Sequence, residues 1–109
     1  MSDNSAYTVS SGNVFADLEV AHPEEARTKA ELARQISLLI ERRGLTQVQA
    51  GQALGISQPK VSALRRGRLT GFSIERLLRF LTALDSDVRI TITTKAPHQE
   101  RGQISVFAE

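Results

Sequence analysis

The chain has 109 residues, no cysteine, 40% hydrophobic residues and only 5% aromatic ones. These values describe one small globular domain with flexible ends and an aliphatic core, and they exclude disulfides and thiolate metal sites. The net charge of +2 hides a segregation: residues 1–41 hold three basic and seven acidic side chains, 42–79 eight and one, and 80–109 three and four. A basic middle between acidic ends suggests a polyanion-binding face, although charge by itself suits a membrane surface or an acidic partner too.

Residues 1–21 read as a flexible arm. Its start, MSDNSAYTVSSGN, is polar and lacks a signal-peptide core, and nothing in the chain approaches the ~18 apolar residues of a membrane span. The expectation is a cytoplasmic protein with no membrane partner. Val14, Phe15 and Leu18 form a small apolar cluster inside this arm. They are candidates for one helical turn docking on the domain, for a partner-binding element, or for a plain tail that covers the core.

Residues 22–87 carry helical periodicity. His22-Pro23-Glu24-Glu25 has proline in a first turn and carboxylates at the positive end of the helix dipole. Leu32, Ile36, Leu39 and Ile40 then mark one apolar face, and Gly44 is the expected terminator. Thr46 and Gln49 form a T-x-x-Q capping box opening a short helix that Gly55 stops. Ser57 caps a third helix with Pro59 in its first turn, ended by Gly67. Ser73 caps a fourth, whose stripe of Ile74, Leu77, Leu78, Leu81 and Leu84 is simplest as core, with part of it as an alternative dimer interface.

Residues 88–109 read as a strand and tail. Val88, Ile90 and Ile92 alternate with Arg89, Thr91 and Thr93, which is strand periodicity, and Ile104 and Val106 suggest a weaker second strand. A lone strand has unpaired edges, so Val88, Ile90 and Ile92 are expected to pack on the fourth helix or pair with another chain in a dimer.

The stretch from Leu45 to Gly67 carries the chemistry. Two short helices meet at Gly55-Ile56-Ser57, and Ala50, Leu54, Ile56, Val61 and Leu64 are spaced to share a core. The small Gly51 lets the following helix cross closely. The second helix then shows Gln58, Lys60, Ser62, Arg65 and Arg66 outward.

Through Gln47, Gly51, Leu54-Gly55, Ile56, Ser57-Gln58, Val61 and Leu64, the chain resembles the lambda-repressor/Cro type of helix-turn-helix, the XRE family, over about residues 30–84. It departs from that pattern at Gly51, where alanine is usual, and at Pro59 inside the recognition helix. The resemblance implies a mostly α, four- to five-helix lambda-repressor-like DNA-binding domain, with the helix-turn-helix at residues 46–66 and a short C-terminal β-strand or hairpin. In that geometry the second helix enters the major groove. Gln58, Lys60 and Ser62 become candidate base readers, with Gln58 suited to adenine. Thr46, Gln47, Arg65, Arg66 and Arg68 become candidate phosphate contacts. The resemblance implies a homodimer on a palindromic double-stranded operator.

The S-S-G-N-V-F-A-D-L segment, the compact P-K-V-S-A-L-R-R-G-R-L region running into F-S-I-E-R-L-L-R-F-L, and the following strand also resemble HigA-like antitoxins. That likeness implies an autorepressor that neutralises a partner toxin. A free-standing repressor and an interaction adaptor are the alternatives, with RNA binding weaker because no aromatic stacking surface is present. His22 and His98 are isolated, and no catalytic constellation, cofactor loop or metal-ligand spacing occurs.

Overall fold

The computed structural model describes residues 23–109. Four helices follow in order: α1 (Pro23–Arg42), α2 (Gln47–Leu54), α3 (Gln58–Arg65) and α4 (Ile74–Ala83). The cluster of Val14, Phe15 and Leu18, and any fifth helix it would form, lies outside the described residues.

Each boundary follows from local chemistry. The Gln49 N–H donates to Thr46 Oγ1 at 3.1 Å and the Thr46 N–H to Gln49 Oε1 at 2.9 Å, closing the expected capping box. Ser57 and Ser73 accept from the Lys60 and Arg76 N–H groups at the starts of α3 and α4. Gly55 ends α2 in the left-handed region, φ 72°, with its N–H on the Gly51 carbonyl. A side chain there would carry the steric penalty of that region.

Helices α2 and α3, eight residues each, are too short to persist alone. They are held because α1 and α4 pack on each other and on the pair. The shared core comprises Leu32, Ala33, Ile36 and Ile40 of α1, Ala50 and Leu54 of α2, Val61 and Leu64 of α3, and Leu77, Phe80 and Leu81 of α4, with Leu84 beyond. The apolar stripe of α4 is therefore spent on the core, which leaves little of it for a dimer interface.

One expectation is corrected here. The core is not purely aliphatic. Phe72 and Phe80 are buried and meet edge to face with centroids 5.9 Å apart, the favourable arrangement of two ring quadrupoles. At Gly51 the following helix does pass close, with Val61 Cγ2 3.7 Å from a Cβ built there, but the turn backbone is closer still, at 2.7 Å to the Ile56 carbonyl oxygen. The backbone cannot rotate away as a side-chain tip can. Gly51→Ala is therefore expected to destabilise the domain by about 1–3 kcal/mol, while the exposed neighbour Gln52→Ala stays within about 0.5 kcal/mol. Urea unfolding of the two variants checks this, and equal midpoints would refute the close approach.

The C-terminal strand expected at Val88–Lys95, and the second at Ile104 and Val106, are not formed among the described residues. The physical reason is the lack of a ladder partner among the described residues. The segment leaves the core at Val88, turns at Ala96–Gln99 and returns at Val106, both valines being half-buried against the core. Its return is pinned where the Ile104 N–H donates to a Glu24 carboxylate oxygen at 2.8 Å. Between these anchors the two legs make no backbone ladder, and Ile90 and Ile92 are 76% and 90% exposed.

Candidate nucleic-acid interface

The proposed reading surface starts from where α3 points. Val61 and Leu64 face the core, so the rest of the helix must face away from it. Gln58 and Lys60 are exposed on its first turn and Ser62 is half-buried. Pro59 sits in that first turn, where its missing N–H costs no helical hydrogen bond. Because Ser57 supplies the cap, Gln58 is not needed to close the helix.

Thr46 and Gln47 are exposed at the N-terminus of α2. Thr46 already accepts a bond in the capping box, but its hydroxyl proton remains a donor. Between α2 and the start of α3 lies a shallow depression lined by Val48, Gln52, Ile56 and Gln58. Val48 is 48% exposed at its rim. Sequence reasoning missed Val48 and Gln52. Their signal was available, because a valine left over from the core face of so short a helix has to face outward.

The basic residues divide into two groups. Arg65 was expected on phosphate, yet its guanidinium donates to Glu41 at 3.0 Å and is 29% exposed, tying α3 to the end of α1. Arg43 reaches Asp85 at 3.0 Å and Arg79 reaches Glu75 at 2.7 Å. The Arg76 guanidinium lies over both core rings, 5.3 Å from the Phe72 centroid and 5.5 Å from that of Phe80. It also donates to the Gly71 carbonyl. These arginines have partners within the domain. Arg42, Lys60, Arg66 and Arg68 stand outside every ion pair formed among the described residues. The ammonium of Lys60 leans 5.8 Å over the Phe72 ring, toward the loop that leads out of α3. Arg66 and Arg68 follow α3 on that same loop and are exposed. Of the cations outside these pairs, Lys60, Arg66 and Arg68 lie on α3 and the loop after it, while Arg27, Arg42, Arg89, Lys95 and Arg101 lie elsewhere.

No group of three or more metal-ligating side chains occurs among the described residues. No helix there is long and apolar enough to cross a membrane.

A family model described as a helix-turn-helix domain matches residues 14–93. A solved structure carrying the description of an XRE family transcriptional regulator is 48% identical, with a TM-score of 0.76. The match covers 80% of this chain and 98% of that one. The chain belongs to the XRE helix-turn-helix family. Among curated proteins there is no match. The family pattern starts at residue 14 and so takes in Val14, Phe15 and Leu18, and it runs through Val88, Ile90 and Ile92. Both flanks of the four-helix unit thus belong to the pattern that the family model describes.

Proposed function

We propose that this XRE-family protein is a sequence-specific transcriptional repressor that binds a two-fold operator as a homodimer. The observation that carries the reading is the exposed first turn of α3, with Gln58 and Lys60 facing out, beside the unpaired Arg66 and Arg68. A helix whose inner face is locked in a core and whose outer face pairs an amide with free cations suits a major groove. Gln58 is the base reader, and Lys60 and Ser62 flank it. Thr46, Gln47, Arg66 and Arg68 position the protein on phosphates. Arg65 stays a candidate phosphate contact, although it has to release Glu41 to reach one.

One module makes few contacts, and two copies on half-sites about one DNA turn apart, ~34 Å, double them. Such a protein acts where the DNA is, in the cytoplasm. A finer reading follows from the HigA likeness: the repressor controls its own operon and neutralises a toxin through Val14, Phe15 and Leu18. The inclusion of those residues in the family pattern supports a role for them beyond that of a tail. A neighbouring gene for a small basic ribonuclease-like protein would separate this reading from a free-standing repressor.

The test is fluorescence anisotropy on the protein's own upstream DNA and on scrambled DNA across a salt series. Binding is expected to be tighter to the upstream DNA, with log affinity falling linearly in log salt. Arg66→Ala should weaken binding to both DNAs and lower the salt slope by about 1. Weak and equal binding of the wild type to both DNAs would overturn the repressor reading.

A further inference from the structure

Helix α3 buries Val61 and Leu64 in the core, and their positions set the direction of its other side chains. Successive residues of a helix are rotated by about 100°. Pro59 therefore lies about 160° round the helix from Val61 and about 140° from Leu64, which points it directly away from the core. Its neighbours are turned aside. Gln58 lines the depression against α2, and the Lys60 ammonium leans over the Phe72 ring on the opposite flank. Pro59 stands exposed between them. Ala63 follows one turn later on the same face, half-buried beside the core.

The centre of this surface thus differs in chemistry from its edges. An amide, an ammonium and a hydroxyl surround it, at Gln58, Lys60 and Ser62. The pyrrolidine ring of Pro59 and the methyl of Ala63 carry neither donor nor acceptor. Proline suits the first turn of a helix, since its φ is pre-set and its missing N–H is not needed there. That advantage explains the residue but not what its ring meets. Base edges in the major groove present donors, acceptors and one apolar group, the thymine C5-methyl. A polar base edge pressed against the ring would lose water and gain no partner. A methyl gains by the same burial. The ring has no rotamers to lose, so holding it in contact costs little entropy.

We propose that Pro59, backed by Ala63, is a specificity-determining residue that packs on a thymine methyl in the operator, beside the base read by Gln58. The proposal deepens the repressor reading above and rests on it. Consecutive Cα atoms are about 3.8 Å apart and stacked base pairs about 3.4 Å, so the residue next to Gln58 meets the same base pair or the next one. Gln58 then selects by hydrogen bonding and Pro59 by shape. Cytosine at the contacted position is disfavoured, because it offers an amino group where the ring can take only an apolar one.

The probe is operator DNA in which single thymines are replaced by deoxyuridine. This removes the methyl and leaves the pairing groups unchanged. Anisotropy of the full chain is measured on each duplex, with the unmodified operator and scrambled DNA alongside. The wild type is expected to lose about fourfold in affinity at one thymine of each half-site, the effect of burying one methyl group. Pro59→Ser should bind the thymine and deoxyuridine forms equally. Pro59→Val, which keeps an apolar side chain, should retain the preference for thymine. Circular dichroism checks that both variants keep their helices, and the wild-type scan stands without them.

A wild-type scan in which no thymine responds by more than about twofold would overturn the proposal. A thymine preference that survives in Pro59→Ser would also overturn it, since another residue would then hold the methyl. Loss of the preference in both variants would reduce Pro59 to a backbone role and overturn the side-chain contact. The repressor reading is judged separately in the same experiment. Discrimination between operator and scrambled DNA without a thymine effect leaves that reading intact and removes only the contact, whereas equal binding to both removes the two together.

Discussion

Leu77→Ala is expected to lower the stability of the domain by about 2–5 kcal/mol. Leu77 is fully buried on α4, the helix that packs against α1. Its removal forfeits apolar burial and leaves a cavity that two long helices cannot readily close around. Single domains are stable by only about 5–15 kcal/mol, so the variant should be substantially unfolded well below the wild-type midpoint. The loss would reach the DNA-binding surface, because α2 and α3 have no independent stability. Leu78→Ala, on the same helix but half-buried, should cost clearly less. Urea denaturation followed by helical circular dichroism gives both numbers. A loss below about 1 kcal/mol for Leu77→Ala would mean that α4 is not the brace described here.

Gln58→Ala should leave stability unchanged and remove base discrimination. Its side chain lies exposed at the start of α3, and Ser57 already caps the helix, so folding does not depend on it. A bidentate amide–adenine pair contributes about 1–3 kcal/mol of discrimination. The ratio of affinities for operator and scrambled DNA should therefore fall by roughly 5- to 150-fold, with little change in affinity for the scrambled sequence. This differs from the Arg66→Ala expectation, where both affinities fall together. A Gln58→Ala protein that keeps its full ratio would move base reading to Lys60 or to the rim around Val48 and Gln52.

The likeness to the solved XRE-family structure extends along nearly all of that chain. At Gly51 the turn carbonyl of Ile56 occupies the space a methyl would fill. The α2–α3 turn here is tighter than an alanine would allow without a shift of the backbone.

How much was legible beforehand depended on the range of the interaction involved. The four helices and their limits were readable because caps, terminating glycines and apolar periodicity act within a few residues. Thr46 with Gln49, Ser57, Ser73 and Gly55 behave as their local chemistry requires. The outward set of Gln58, Lys60 and Ser62 was readable for the same reason, since fixing Val61 and Leu64 inward leaves those positions no other direction. Contacts between residues distant in the chain were not readable. The pairing of Arg65 with Glu41 joins residues 24 apart, and the Glu24 clamp on Ile104 joins residues 80 apart. Both are set by how the helices cross, which no local pattern encodes. The burial of Phe72 and the stacking of Arg76 on its ring likewise depended on where the α3–α4 loop landed. The strand expected at Val88–Lys95 is not formed among the described residues, because a strand exists only when its hydrogen-bonding edge meets another. Composition and local spacing thus determined the helices, their inward faces and the residues that α3 turns outward. The tertiary structure decided which cations are paired within the domain and left the C-terminal segment without a ladder partner among the described residues, because those outcomes depend on the spatial meeting of distant groups.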